Sequence, residues 1–200
     1  MKAFFASAFV VLSSSFFLWL ATDGLQAITT ESARRIHVAR NKPLMPQAML
    51  ETMSGRFQAL HPGGEEVVIA EFIYTACPFI CVTGGGHLER LQHKIAAEGL
   101  DDKVRIVSIS FDPDNDEPAQ LAQYARRYNA DGKIWTIARP SKKDLPDLLR
   151  AFGVVVIADE FGGFQHNIAM HVMDREGRLA AIFDEADVTG AFNKIREILR

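Results

Sequence analysis

The chain has 200 residues, with 22 Lys and Arg against 25 Asp and Glu and a formal charge of -3. It therefore lacks the basic excess that neutralising phosphates requires, which argues against nucleic acid as a partner. Apolar residues make up 48% and Phe alone numbers 14, enough for one core-forming domain plus a leader. Two cysteines are too few for the disulfide framework of a small secreted scaffold, so they need a local explanation.

The leader comes first. After Lys2 the run from Ala3 to Ala21 carries no charge and holds Phe4, Phe5, Phe9, Val10, Val11, Leu12, Phe16, Phe17, Leu18 and Trp19. About 19 residues of this kind stand between the apolar core of a signal peptide and a spanning helix. Ser13, Ser14 and Ser15 lower its mean hydropathy, and Leu25-Gln26-Ala27 is a poor cleavage site because Leu25 is large. Arg34, Arg35, Arg40 and Lys42 follow it, where the positive-inside rule would keep them in the cytoplasm, and this counts against an anchor. Nothing in the run is polar enough for the outer face of a core helix. Residues 1–27 are thus a signal peptide or an N-terminal membrane anchor, and the chain is exported. From Ile28 to Gly55 neither helical nor strand periodicity persists and Pro43 and Pro46 interrupt it, so 28–55 reads as a tether. Residues 56–200 are then the domain.

Within it, Arg56 to Leu60 suggests a short edge strand closed by a turn at His61-Pro62-Gly63-Gly64. Val67 to Tyr74 is almost continuously apolar and rich in β-branched and aromatic residues, as a strand buried on both faces is. Gly84 to Glu98 has helical spacing through Leu88, Leu91 and Ile95, and Val104 to Phe111 is a second buried strand. Pro118 opens a helix to Tyr128. Ile134 to Ala138 predicts a strand, and Ser141 with Asp144 predicts a capped helix through Phe152. Val154 to Ala158 is a short strand, Asp159 to Gln165 a loop, and Ile168 to Met173 with Leu179 to Phe183 a hairpin around Arg175-Glu176-Gly177. Val188 to Leu199 closes the chain as an amphipathic helix. Alternating strands and helices imply parallel crossovers, and the late hairpin adds antiparallel strands. The expected fold is a three-layer α/β domain, a mixed sheet with helices on both faces.

Cys77-Pro78-Phe79-Ile80-Cys81 lies where a buried strand passes into a helix. Helix N-termini present unpaired N–H groups and a positive dipole end, which favours a thiolate. In a helical segment a spacing of four puts both side chains on one face, about 5–6 Å apart at Cβ. Such a pair can share a soft metal ion or close a disulfide. A structural disulfide of so small a loop gains only about 2 kcal/mol of chain entropy. Two inert buried thiols remain an alternative, as does zinc recruiting His87 or His93, although neither lies at a familiar finger spacing. Thioredoxin-like redox enzymes hold two residues between their cysteines; here there are three.

Three segments together carry a resemblance. Phe72 to Cys81 (FIYTACPFIC) resembles the strand and CxxxC segment of the Sco/SenC family; Val107 to Pro113 with Asp116-Glu117-Pro118 resembles its second strand and Asp-Pro loop; His166 to Asp174 with Gly177 resembles its His-bearing strand and turn. The resemblance runs from about Arg56 to the C-terminus with the motifs in order. It implies a thioredoxin-like fold and copper handling in assembly of the CuA centre of cytochrome c oxidase. By carry-over the copper ligands are Cys77, Cys81 and His166. Two thiolates suit Cu(I), and an added imidazole keeps Cu(II) accessible. The chain departs from the family at Phe79 and Gln165, where acidic residues are frequent, at Val82, often Pro, and at His171, often Tyr.

Taken alone, His166 would read as a surface histidine at the end of a glycine-containing loop; His171 faces away from Met170 as a packed or surface residue, and His37 and His61 as solvated ones. Asp112 stands at a strand exit, as a loop cap or a contact near the site. Gly84-Gly85-Gly86 lacks the Lys-Ser/Thr of a phosphate loop. The function expected is a copper chaperone delivering copper to an apo-cuproprotein, with the membrane met through the N-terminal segment. The alternative is a thiol–disulfide oxidoreductase with Cys77 attacking and Cys81 resolving. Peroxide reduction lacks its Thr-x-x-Cys motif.

Overall fold

The computed structural model describes residues 2–25, 28–61, 63–64, 66–76, 80–160 and 162–200. The chain divides into two compact units, Met1–Asn41 and Lys42–Arg200. The first holds α1 (Lys2–Ala21) and α2 (Thr30–Asn41). Phe4, Phe9, Leu12, Phe17 and Leu18 of α1 are exposed. Among the described residues no helix is long and apolar enough to cross a membrane. The start of α2 is capped reciprocally, Ser32 N–H donating to Thr29 Oγ1 and Thr29 N–H to Ser32 Oγ, both at 3.0 Å.

The second unit runs β1 (Met49–Thr52), β2 (Phe57–Ala59), β3 (Val67–Ile73), α3 (Ile80–Ala97), β4 (Val104–Ser110), α4 (Pro118–Arg127), β5 (Trp135–Pro140), α5 (Leu145–Phe152), β6 (Val156–Ala158), β7 (Phe164–His166), β8 (Met170–Met173), β9 (Leu179–Phe183) and α6 (Val188–Ile198). Seven strands form one sheet in the order β2-β1-β5-β4-β3-β8-β9, and β6 pairs with β7 in a small separate sheet. β3, β4 and β5 are parallel neighbours, and the remaining pairs are antiparallel. The segment expected as a tether thus contains α2 and β1. β1 has no legible period because its pairing with β2 and β5 holds it in the sheet. β7 lies in what read as a loop, since three residues are too few for a pattern.

β3 is buried at all seven positions, and two neighbours pair its backbone, β4 on one side and β8 on the other. Right-handed crossovers from β3 to β4 to β5 put α3 and α4 on one face of the sheet. There Gln92 of α3 bonds the carbonyl of Asn129 at 2.9 Å and accepts from Asp131 N–H at 3.1 Å. One glycine of the run, Gly85, finds its reason here. A Cβ at Gly85 would stand 2.3 Å from the Tyr128 ring, so a bare backbone is what lets the end of α4 reach α3. α5 covers the opposite face, its Phe152 ring 5.2 Å from that of Phe72. His171 is buried against both rings at 6.1 and 5.3 Å, which decides between the two expectations for it.

His61 corrects an expectation. It is buried, not solvated. Gly63 N–H donates to Nδ1 at 3.3 Å, so Nε2 carries the proton and donates to the Asp174 carbonyl at 3.1 Å. The ring thereby ties the turn before β3 to the β8–β9 hairpin, and a half-exposed turn motif in sequence gives no sign of it.

Glu71 interrupts the apolar run of β3 and is 3% exposed. It shares a face with its register partner Ser108, whose hydroxyl lies 3.5 Å from the carboxyl and accepts from Trp135 Nε1 at 2.9 Å. Burial, with Glu185 adding to it and Ser108 opposing, pushes the Glu71 carboxyl up to about 8. A folded-state value above the unfolded one near 4.5 contributes stability fully below about 4.5 and loses it as pH rises through about 8. Glu71→Gln should remove that slope. Relative to the variant, the wild type should lose stability by up to about 1.4 kcal/mol per pH unit in this window, read from urea melts at pH 5 to 8. Parallel curves would mean that Glu71 is already ionised in the native state.

Candidate metal centre

β3 delivers the chain to the site. After Ile73 come Tyr74, buried, and Thr75, whose backbone N–H and hydroxyl both donate to Asp116, at 3.0 and 2.5 Å. Cys77 lies outside the described residues. Cys81 falls in the first turn of α3, where the unpaired N–H groups and the dipole favour a thiolate; its backbone is described and its side chain is not.

His166 ends β7, opposite Val156 in the β6–β7 pair. Asn167 pins this hairpin, its Oδ1 accepting from Val155 N–H at 2.7 Å and its Nδ2 donating to the Gly153 carbonyl at 3.0 Å. The His166 Nδ1 is 3.3 Å from the Asn167 carbonyl. A carbonyl only accepts, so Nδ1 carries the proton and Nε2 is left with its lone pair. Among the described residues that Nε2 is buried with no hydrogen-bond partner.

Aromatic rings surround it. The Phe111 centroid is 4.8 Å and the Tyr74 centroid 6.4 Å from the imidazole. Phe164 packs on both rings at 5.3 and 5.5 Å. Burial holds the His166 imidazole below the usual histidine range, with the bond to the Asn167 carbonyl working weakly the other way. A neutral imidazole with an inward-facing, unpartnered acceptor is the state in which histidine binds metal. The structure thus sets His166 against the segment that enters Cys77, through Tyr74. Among the described residues no group of three or more His, Cys, Asp or Glu is arranged to hold a metal ion. The ligand set read from sequence draws on Cys77 and on the Cys81 thiol, outside that description.

Asp112 is a loop cap. Its carboxylate accepts from Asn115 Nδ2 at 3.0 and 2.9 Å, its N–H donates to Ser110 Oγ at 3.0 Å, and its carbonyl accepts from Asn115 and Asp116. Asp116, four residues on, is the buried one at 1% exposure. Sequence reasoning placed it in a motif without giving it a role. Its only signal was a carboxylate four positions past a strand exit. His93 is exposed on α3, and Lys142 pairs with Asp114.

Residues 49–200 match the family profile described as SCO1/SenC. The chain belongs to the SCO1/SenC family. The SCO1 protein homolog of Bacillus subtilis is 30% identical over 143 residues, covering 70% of this chain and 72% of the homolog. BsSco, a member of the Sco family of cytochrome c oxidase assembly proteins in which a disulfide switch was identified, matches in structure with a TM-score of 0.70 and 24% identity, over 80% of this chain and 95% of its own. Arabidopsis thaliana ScoI with copper bound matches with a TM-score of 0.67 and 23% identity, over 78% and 98%. The expected thioredoxin-like arrangement, a mixed sheet with helices on both faces, is therefore the Sco fold.

Among the described residues it is burial, with the aromatic wall beside the ring, that lowers the His166 imidazole. Phe111→Ala should move the His166 titration midpoint up toward an ordinary histidine, followed by NMR across pH in the metal-free protein. The same change should cost about 3–5 kcal/mol of stability as a buried ring is removed. An unmoved midpoint in folded protein would show that another group keeps water from the imidazole.

Proposed function

We propose that this protein is a copper carrier that delivers copper to a cuproprotein, the CuA centre of cytochrome c oxidase being the acceptor that its family suggests. The observation that carries this reading is the buried Nε2 of His166, without a hydrogen-bond partner among the described residues, beside the segment entering Cys77. Copper bound to Arabidopsis thaliana ScoI and the oxidase-assembly role of BsSco support it.

In this reading Cys77 and Cys81 give up their protons to the medium and bind as thiolates, and His166 donates through Nε2. The dipole at the start of α3 favours the thiolates, while Tyr74, Phe111 and Phe164 keep water from the imidazole. Asn167, by bonding Val155 N–H and the Gly153 carbonyl, fixes the approach of the hairpin. Two thiolates and one imidazole accommodate both Cu(I) and Cu(II). Copper binding needs the His166 acceptor whereas dithiol exchange can proceed without it, which favours the carrier over the oxidoreductase reading. The N-terminal segment, as signal peptide or anchor, places the domain on the non-cytoplasmic side of a membrane, the periplasmic face of an inner membrane or its intermembrane-space equivalent.

The unit Lys42–Arg200 should bind one copper per chain after anaerobic reduction, read by metal analysis following dialysis with limiting copper. Metal-free protein with free thiols would remove the carrier reading. Oxidation of Cys77 and Cys81 to a disulfide should abolish Cu(I) binding, because the thiolate is the ligand. His166→Ala should lose Cu(II) affinity and the thiolate charge-transfer band at least tenfold more than Cu(I) affinity. Equal retention of both would take His166 out of the site.

A further inference from the structure

Glu71 places a carboxyl in the middle of the enclosed strand, and the carrier reading makes no use of it. Among the described residues its donor is the Ser108 hydroxyl at 3.5 Å, whose oxygen already accepts from Trp135 Nε1 at 2.9 Å. Ser108 and Trp135 are themselves fully buried. One long hydrogen bond is poor company for a charge out of water, so this place suits the protonated acid.

Two further groups reach the same place from other elements. Glu185 stands in the turn between β9 and α6, near enough for its charge to add to the effect of burial on Glu71. His87 of α3 acts on Glu185 in turn, against the burial that raises the Glu185 carboxyl. Oε2 of Glu185 and Nδ1 of His87 are buried with no hydrogen-bond partner among the described residues. The cluster thus joins two carboxyls, an imidazole and a hydroxyl drawn from β3, β4, α3 and the turn. Other charged groups on these elements are engaged or face outward. On α3, Glu89 bonds Asn129, Lys94 lies over the Phe192 ring, and Arg90 and His93 are exposed. On α6, Lys194 pairs with Glu197 and Arg196 is exposed, as are Arg126 and Arg127 of α4. Arg105 of β4 bonds the Ala59 and Leu60 carbonyls, and His171 of β8 packs on the opposite face.

Two carboxylates sharing a buried place repel, so both can ionise only if one of them moves. Glu71 is fixed, because β4 and β8 pair its strand on both sides. The turn is free to move, with Asp184, Ala186 and Asp187 exposed. Asp187 N–H donates to the Asp184 carbonyl at 2.9 Å, and Asp187 Oδ1 accepts from Gly190 N–H at 2.8 Å. These bonds tie the turn to the start of α6, so the two shift together.

We propose that Glu71, Glu185 and His87 form a pH-sensitive latch: a protonated Glu71 lets the turn between β9 and α6 close over the sheet, and an ionised Glu71 drives that turn and the start of α6 away. Glu185, the less buried of the two, ionises first. As pH rises through about 8, Glu71 loses its proton to solvent and the latch opens. None of the three residues is a ligand in the carrier reading, so latch and carrier stand or fall separately.

The chain has two tryptophans, Trp19 and Trp135, so Trp19→Phe leaves Trp135 as a reporter inside the cluster. The experiment follows Trp135 emission of the full-length Trp19→Phe chain in neutral detergent from about pH 6 to 10. Hydrogen–deuterium exchange of residues 188–198, corrected for the intrinsic effect of pH on exchange, is measured beside it. Both should change with a common midpoint near pH 8, protection of α6 falling about tenfold or more. Adding Glu71→Gln should abolish both changes. Adding Glu185→Gln should lower the midpoint by about half a pH unit or more, because the charge that opposes Glu71 ionisation is gone. The proposal is overturned if α6 loses protection equally in Glu71→Gln, or keeps it while Trp135 titrates, or if neither signal changes. An unmoved midpoint in Glu185→Gln overturns it too, and that variant decides if Glu71→Gln does not fold.

Discussion

Everything in the domain depends on β3 being enclosed from all sides. Its backbone groups are taken up by β4 and β8, and its side chains by helices on both faces, so all seven residues are buried. A strand held this way cannot slip in register without burying unpaired backbone or moving an apolar set. Where it ends is therefore fixed, and β4 ends beside it. Open α/β sheets bind at this edge because the loops leaving the strands are free to vary while their starting points are not. The site takes its position from that rigidity.

The imidazole reaches the same edge from a different direction. β7 is only three residues long and among the described residues pairs only with β6, so the two hydrogen bonds of Asn167 hold it together with the ring contacts to Tyr74 and Phe111. Tyr74 follows β3 directly, and Phe111 follows β4 directly. The aromatic wall is thus an extension of the two central strands, and the burial that depresses His166 comes from the same residues that end them. Position and protonation state of the histidine share one cause.

Most elements were legible because their periods are strong: β3, β4, α3, α4 and α6 all lie within the segments expected for them, give or take a few residues at the ends. The elements that were not legible are short or paired at a distance. β1 and β7 have too few residues for a pattern, and the helix expected from Ser141 starts at Leu145, with Ser141 and Asp144 forming the bonded turn before it. Of the site, the cysteine pair and His166 were legible through motif order, whereas the reason His166 suits a ligand was not. That reason lies in rings up to 92 positions away in sequence from it, as Tyr74 is. Burial of polar groups was the hardest to read. Glu71 inside an apolar run, His61 in a turn and Asp116 in a loop are each buried through partners 37 to 113 residues away, and no local pattern encodes such distances.

Two of the departures from the family pattern, Gln165 and His171, are placed by strand alternation and packing. Successive residues of β7 face opposite sides, and Gln165 is exposed while Phe164 and His166 are half-buried. Its register partner Ile157 is likewise exposed, at 60%. The residue before the histidine therefore belongs to the outward face of the hairpin, and a neutral amide there changes the surface without entering the aromatic wall. His171 is on the α5 side of the main sheet, packed on Phe72 and Phe152, in a sheet to which β7 does not belong. An imidazole can fill that place because the surrounding rings take it edge-on and its Nδ1 lies 3.3 Å from the Ala70 carbonyl. Neither change touches the bonds that fix Thr75, Asn167 or the rings around His166. Of the departures whose side chains are described, Gln165 varies the exterior and His171 one packed position, while Phe79 lies outside the described residues and the Val82 side chain is not described; both described changes leave the geometry that brings the imidazole to the end of β3.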